Sequence, residues 1–209
     1  MAHTRISALI IAIALLSLGM AIATPGALAM NAAGSDTVRS LYDALLANMR
    51  AGASLGADGR YARIAPVVQR VFDMRFMTRL AIGPEWERLA EPQRRQVSDA
   101  FERYVAAIYA ERFDRYSGET LRVTGEQPSA GAMIVTTEIV KSDGEPVRLN
   151  YLLHQNGGGW QIADVYLNGT ISELATHRSE FGAILRAQGI DGLIVMLNAK
   201  TDRLAGRAS

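Results

Sequence analysis

LRVTGEQPSAGAMIVTTEIVKSDGEPVRLNYLLHQNGGGWQIADVYL, residues 121–167, decides how the rest of the chain must be arranged. Leu121 and Val123 alternate with polar neighbours, and residues 132–140 are β-branched and apolar. Val147, Leu149, Tyr151 and Leu153 alternate with Arg148, Asn150, Leu152 and His154, and residues 160–167 make a fourth run. Period two places successive side chains on opposite faces, the mark of a half-buried strand. The connections at 126–130, 142–144 and 156–159 are short and rich in turn-forming residues, so the four strands should pair as an antiparallel meander. One face of that sheet needs cover.

The flanking sequence supplies it at helical spacing. Upstream, Ser35 or Asp36 caps a helix to about Met49, with Val38, Leu41, Tyr42, Leu45 and Met49 on one side. A second helical stretch starts near Tyr61 or Pro66 and runs through Phe76, Met77 and Leu80 to Ile82, where Gly83-Pro84 ends it. Pro92 opens a long amphipathic helix to about Arg115 that carries Phe101, Tyr104, Val105, Ile108 and Tyr109, with Gly118 as its stop. Downstream, residues 171–187 and 192–200 read as two helices separated at Gly189, with Asp191 as a cap and Ile190 and Val195 as a hydrophobic staple. Helices, then strands, then helices is an α+β order: a four-stranded antiparallel sheet wrapped on one face by N-terminal and C-terminal helices. Residues 204–209 read as a frayed end.

The first residues bear on compartment. Arg5 precedes the almost wholly apolar residues 6–23, and Ala27-Leu28-Ala29 has the small-x-small form of a cleavage site, so residues 1–29 are expected to be a signal peptide and export to follow. The alternative is an uncleaved anchor, against which Pro25, Gly26 and the small residues before Met30 argue. Residues 30–209 then form one domain, long enough for a sizeable core. Of the 22 basic residues of the whole chain only Arg5 lies before Met30, which leaves 21 against 21 acidic ones. A neutral chain offers no electrostatic footprint for nucleic acid. With no cysteine at all, disulfide, thiol and lipoprotein chemistry are excluded.

Catalytic chemistry finds little support. His154 and His177 lack metal-ligand spacing, and Gly157-Gly158-Gly159 lacks the Lys-Ser/Thr of a phosphate loop and precedes a strand, so neither a metal nor a cofactor is expected. The one enzymatic alternative is an isomerase- or dehydratase-like site on a cone-shaped α+β fold, with Asp164 as acid/base beside Tyr166, Tyr151 and His154. Against it stands the plainer reading of Asp164 as an acid tying down a neighbouring loop or Arg. What exceeds ordinary core is the apolar surplus: several amphipathic helices for one sheet, which suits an internal pocket between them. Candidate liners on inward faces are Leu45, Phe76, Leu80, Trp86, Phe101, Tyr104, Val105, Ile108, Val135, Leu149, Tyr151, Val165, Phe181, Leu185 and Leu193.

GPEWERLAEPQRRQVSDAFERYVAAIYAERFDRYSGE at 83–119, Trp160-x-x-x-Asp164, and HRSEFGAILRAQGIDGLIVMLNAK at 177–200 resemble the MlaC, or toluene-tolerance, family of periplasmic lipid-binding proteins, over roughly residues 36–200. The markers are Trp86, the helix of Phe101, Tyr109-Ala110, Tyr116-Ser117-Gly118-Glu119, Trp160, Asp164, and Arg178-x-x-Phe181 before Gly189-x-x-Gly192. Gly83-Pro84-Glu85-Trp86 and the polar Thr136-Thr137 resemble the hopanoid-associated HpnM branch. The resemblance implies a non-enzymatic periplasmic carrier, a monomer, with a phospholipid or hopanoid between sheet and helices. It also implies partners: an inner-membrane lipid transporter of ABC or RND type and an outer-membrane complex. A lipid with about thirty methylenes, each costing roughly 0.8 kcal/mol in water, faces on the order of 20 kcal/mol crossing an aqueous space bare. The two C-terminal helices are expected to form a wall or lid for the tails.

Overall fold

The computed structural model describes residues 33–141, 144 and 146–207. The expected signal peptide, its cleavage site, and Ser142-Asp143 of one expected turn lie outside the described residues.

Helix α1 (Gly34–Ala51) begins before the expected caps because its free amides find a partner in the sheet. The Glu126 carboxylate accepts from Gly34 N at 3.1 Å and Ser35 N at 2.9 Å, and Asp36 reaches back to Ala33 N at 3.2 Å. Val38, Leu41, Tyr42 and Leu45 lie on its buried side. Helix α2 (Gly56–Val71) starts earlier than expected and keeps Pro66 inside it, with Ile64, Val68 and Val71 buried along one face.

The single helix expected across to Ile82 is broken at Phe72-Asp73. Phe72 is extended and bridges Ile162 in parallel, and Asp73 N donates to Ile162 O at 2.9 Å. Asp73 then caps α3 (Met74–Ile82) through its Oδ1, which accepts from Phe76 N at 2.9 Å. A short 3-10 segment, Gly83–Arg88, leads into α4 (Glu91–Arg112). That helix ends at Arg112, before the expected Arg115, so Gly118 belongs to the connection and is not the helix stop.

The sheet runs β1 (Thr120–Ser129), β2 (Ala132–Val140), β3 (Val147–Gln155), β4 (Trp160–Leu167) and β5 (Ile171–Ser172), in that spatial order with all neighbours antiparallel. Residues 126–129, expected as a loop, continue β1 past a bulge at Val123/Gly125, and the turn is only Ala130-Gly131, both at positive φ as the tight hairpin requires. The fifth strand was not expected; it is two residues pairing with Tyr166 and Leu167 as the chain turns into the last helix.

Helix α5 (Glu173–Leu204) opens with Ser172 Oγ accepting from Ala175 N at 2.9 Å and is kinked at Gly189, whose φ of 68° and ψ of −168° suit only glycine. The expected break is therefore at Gly189, while Gly192 is helical. Val195 faces solvent at 67% exposure, so it makes no staple with Ile190. Of the end expected to be frayed, residues 204–207 are described and are held: Ala205 is buried, and Arg207 bonds Asp58 at 2.6 Å and lies over the Tyr61 ring; residues 208–209 lie outside the described residues. The core fills the space between helices and one sheet face, where Leu41, Ile64, Phe101, Leu153, Ile162, Phe181 and Leu197 are fully buried.

Candidate apolar binding cavity

Residues Val105, Ile108, Tyr109 and Arg112 recur along α4 at i, i+3, i+4 and i+7, so they share one stripe. Opposite that stripe, Ile139 pairs with Val147 and Leu149 with Leu167, and period two brings Val165 to the same sheet face. Glu173 and His177, one turn apart on α5, close a third side, and Phe72, Met77 and Phe113 complete the wall. The cavity they enclose measures about 340 Å³. That lies within the roughly 300–1,000 Å³ common to small-molecule sites, and its wall is mostly hydrocarbon.

Polar groups beside this wall are of two kinds. Beneath it, the Tyr42 hydroxyl donates to Thr137 Oγ1 at 2.6 Å, and Thr137 Oγ1 donates to Leu149 O at 2.9 Å. Burial pushes the Tyr109 and Tyr151 hydroxyls far above the usual range, so they stay neutral. The Tyr42–Thr137–Leu149 chain satisfies buried polar atoms and ties α1 to the sheet.

The second kind sits at the rim. Arg112 and Glu173 approach only to 3.9 Å and are both partly exposed. His177 stacks on Phe181 and meets Phe101 edge-on, and burial lowers its pKa, which favours the neutral imidazole. Its Nδ1 is buried with no hydrogen-bond partner.

Of the sequence candidates, Val105, Ile108, Leu149 and Val165 line the cavity. Leu45, Phe101, Val135, Tyr151, Phe181 and Leu193 sit in the closed core at 0–1% exposure, with Tyr104 at 9%. Leu185 is half-buried on α5. Phe76 and Trp86 line a different, polar hollow with Asp73, Arg75, Arg79 and Arg94, in which Trp86 is flanked by the guanidinium groups of Arg75 and Arg94 at 5.5 Å each. Leu80 points outward at 40% exposure, which corrects the expectation of an inward face. The expected wall of two C-terminal helices is also corrected: only the segment before Gly189 borders the cavity, because Leu193 and Leu197 beyond it are fully buried in the core.

Sequence reading missed Tyr109, Phe113 and Arg112 as liners, although i+4 steps from Val105 and Ile108 lead to them. The same holds for Val147, two residues before Leu149 on β3, for Leu167, two residues after Val165 on β4, and for His177, one turn before Phe181.

Of the enzymatic constellation only Tyr166, two residues along β4 on the same face, stays beside Asp164; Tyr151 and His154 do not join them. Leu152 pairs with Asp164 and Tyr151 with Val165, so Tyr151 and Asp164 point to opposite faces of the sheet. His154 turns to Asp73, with Nε2 at 2.9 Å from Oδ2. Both oxygens of Asp164 are engaged in holding the turn into α5: Oδ1 accepts from Val165 N and Leu174 N, and Oδ2 from Ser172 Oγ at 2.6 Å. Among the described residues no group of three or more His, Asp or Glu is placed to hold a metal, and no helix is long and apolar enough to cross a membrane.

Two segments quoted from the sequence meet in space. Gly83, at positive φ, lies so close to Arg178 that a Cβ there would come within 3.1 Å of the guanidinium, which joins the Gly83-Pro84-Glu85-Trp86 turn to the Arg178-x-x-Phe181 helix.

Fold and cavity together define an α+β domain in which helices cover one face of an antiparallel sheet and enclose an apolar pocket. The chain belongs to the MlaC protein family, whose profile matches residues 39–199. A similar fold is that of the phospholipid-binding protein from Ralstonia solanacearum, solved in complex with a phospholipid. The two superpose with a TM-score of 0.69 at 23% identity, over 83% of this chain and 99% of that one.

Proposed function

We propose that this protein is a periplasmic lipid carrier that holds the acyl chains of a phospholipid, or the ring system of a hopanoid, in the cavity between α4, the sheet and the first part of α5. The observation that carries this reading is the 340 Å³ cavity itself, walled mostly by hydrocarbon, Val105, Ile108, Leu149 and Val165 among it, with Arg112 and Glu173 also in its lining. Each methylene moved from water into such a wall gains about 0.8 kcal/mol, so a handful suffices for tight binding. Membership of the MlaC family and the phospholipid bound by the Ralstonia protein support the same ligand class. In this reading the carrier shuttles its lipid between inner and outer membranes as part of an ABC- or RND-type transport system, without catalysing a reaction. Denaturing the protein purified from the periplasm and identifying the organic extract by mass spectrometry tests it. Lipid in near-stoichiometric amount is expected; a lipid-free protein that takes up none from vesicles refutes it.

A further inference from the structure

Charges of both signs stand at the rim of the cavity, and they are loosely paired. Arg112 ends α4 and Glu173 opens α5; their closest atoms are 3.9 Å apart, with 59% and 35% of the side chains exposed. Other pairs on the protein are far tighter, such as Arg75 with Glu91 at 2.8 and 2.9 Å and Arg122 with Glu138 at 2.7 Å. Among the described residues neither Arg112 nor Glu173 makes a closer side-chain hydrogen bond. One turn along α5 from Glu173, His177 faces the same cavity with a buried Nδ1 that has no partner. A buried polar atom without a partner is unfavourable, so a ligand atom that completes it is favoured. Two loosely paired charges and one buried, unpartnered ring nitrogen thus belong to residues that line the same apolar cavity.

The geometry points to a headgroup-reading site for zwitterionic lipids: Arg112 faces a phosphate, Glu173 faces an ammonium, and His177 Nδ1 hydrogen-bonds an ester oxygen where the tails begin. This rests on the lipid-carrier reading and refines its ligand class. A purely anionic headgroup would satisfy Arg112 while being repelled by Glu173. An uncharged lipid would cover both charges and return nothing for their lost hydration. In the tautomer protonated at Nδ1, the neutral imidazole donates to a carbonyl without adding charge to an apolar wall.

The test loads delipidated protein from vesicles containing phosphatidylethanolamine, phosphatidylglycerol and diacylglycerol with identical acyl chains, and counts each bound lipid by native mass spectrometry. Phosphatidylethanolamine should be enriched about five- to tenfold over the other two. Glu173→Gln should bring phosphatidylglycerol to parity, and Arg112→Gln should reduce both phospholipids relative to diacylglycerol. Equal uptake of all three lipids by the wild type overturns this inference and leaves the carrier reading standing, whereas uptake of none defeats the carrier reading itself. Inorganic phosphate that competes fully with phosphatidylethanolamine marks a bare ion site and overturns it as well. An acid at a helix start and a base at a helix end also complement helix dipoles. Variants that move only the melting temperature of delipidated protein, with the lipid ratio unchanged, assign the pair to that role and overturn the proposal.

Discussion

Val105→Trp separates a cavity wall from ordinary core. Val105 is 6% exposed, on the stripe of α4 that borders the cavity. Tryptophan adds about seven heavy atoms to valine, enough to displace three or four methylenes of a bound tail, and at roughly 0.8 kcal/mol each the loss is about 3 kcal/mol, or a hundredfold in affinity. In a close-packed core the same insertion would strain its neighbours by about 1 to 3 kcal/mol. Beside a 340 Å³ space the ring has room, so the delipidated variant should melt within a few degrees of the wild type while losing nearly all co-purified lipid. Phe101→Ala is the opposite control: Phe101 is fully buried and is not itself a liner, although its ring meets His177 edge-on, so its truncation should cost about 3 to 5 kcal/mol of stability with far less loss of lipid per folded molecule than Val105→Trp causes. Native mass spectrometry and thermal melting of the same samples supply both readouts. If Val105→Trp keeps wild-type lipid, or unfolds the protein as Phe101→Ala does, the tails are not bound against this stripe.

Three further outcomes follow from the geometry. Asp164→Asn should lower stability by about 1 to 3 kcal/mol in denaturant titration, because one carboxylate oxygen no longer accepts from its present donors, while lipid content stays constant; a normal denaturation midpoint would contradict its role in the turn. Gly189→Ala should cost about 1 to 3 kcal/mol even though the new Cβ would touch nothing, since the backbone conformation is glycine's alone; a neutral effect in the same titration would show that the kink relaxes freely. Hydrogen bonding to Ser35, ahead of its other contacts, holds the Glu126 pKa below its ordinary value near 4.5, so its contribution is present above that value and fades as pH falls through the depressed one. Glu126→Gln should therefore be about 1 kcal/mol less stable than wild type at neutral pH and equal to it in acid, and a difference that persists unchanged in acid would refute the cap.

The α+β order and the helix-covered sheet were legible because both rest on local period: two for residues 147–153, and three to four for Val105, Ile108 and Tyr109. Period also found part of the cavity wall, but it could not distinguish a void from packed atoms. Leu149 and Tyr151 show this, two residues apart on one sheet face: the first borders the cavity, and the second is sealed under Tyr42 and Tyr109. Arg112, Glu173 and His177 escaped because charged and polar residues near helix ends read as solvated. The break at Phe72-Asp73 escaped for another reason: apolar spacing continues through it, and only its pairing with Ile162, far along the chain, makes the segment extended. Distance in sequence likewise hid Glu126 as the cap of α1.

Whether acyl chains occupy the cavity between α4 and the sheet is settled most directly by loading the delipidated protein with a phospholipid carrying a diazirine midway along one tail, irradiating, and mapping the cross-linked residues by mass spectrometry. Labels concentrated on Met77, Val105, Ile108, Leu149 and Val165 are the expected result. Labels concentrated instead in the polar hollow around Trp86 and Arg94, or scattered over exposed residues such as Leu80 and Val195, would contradict it.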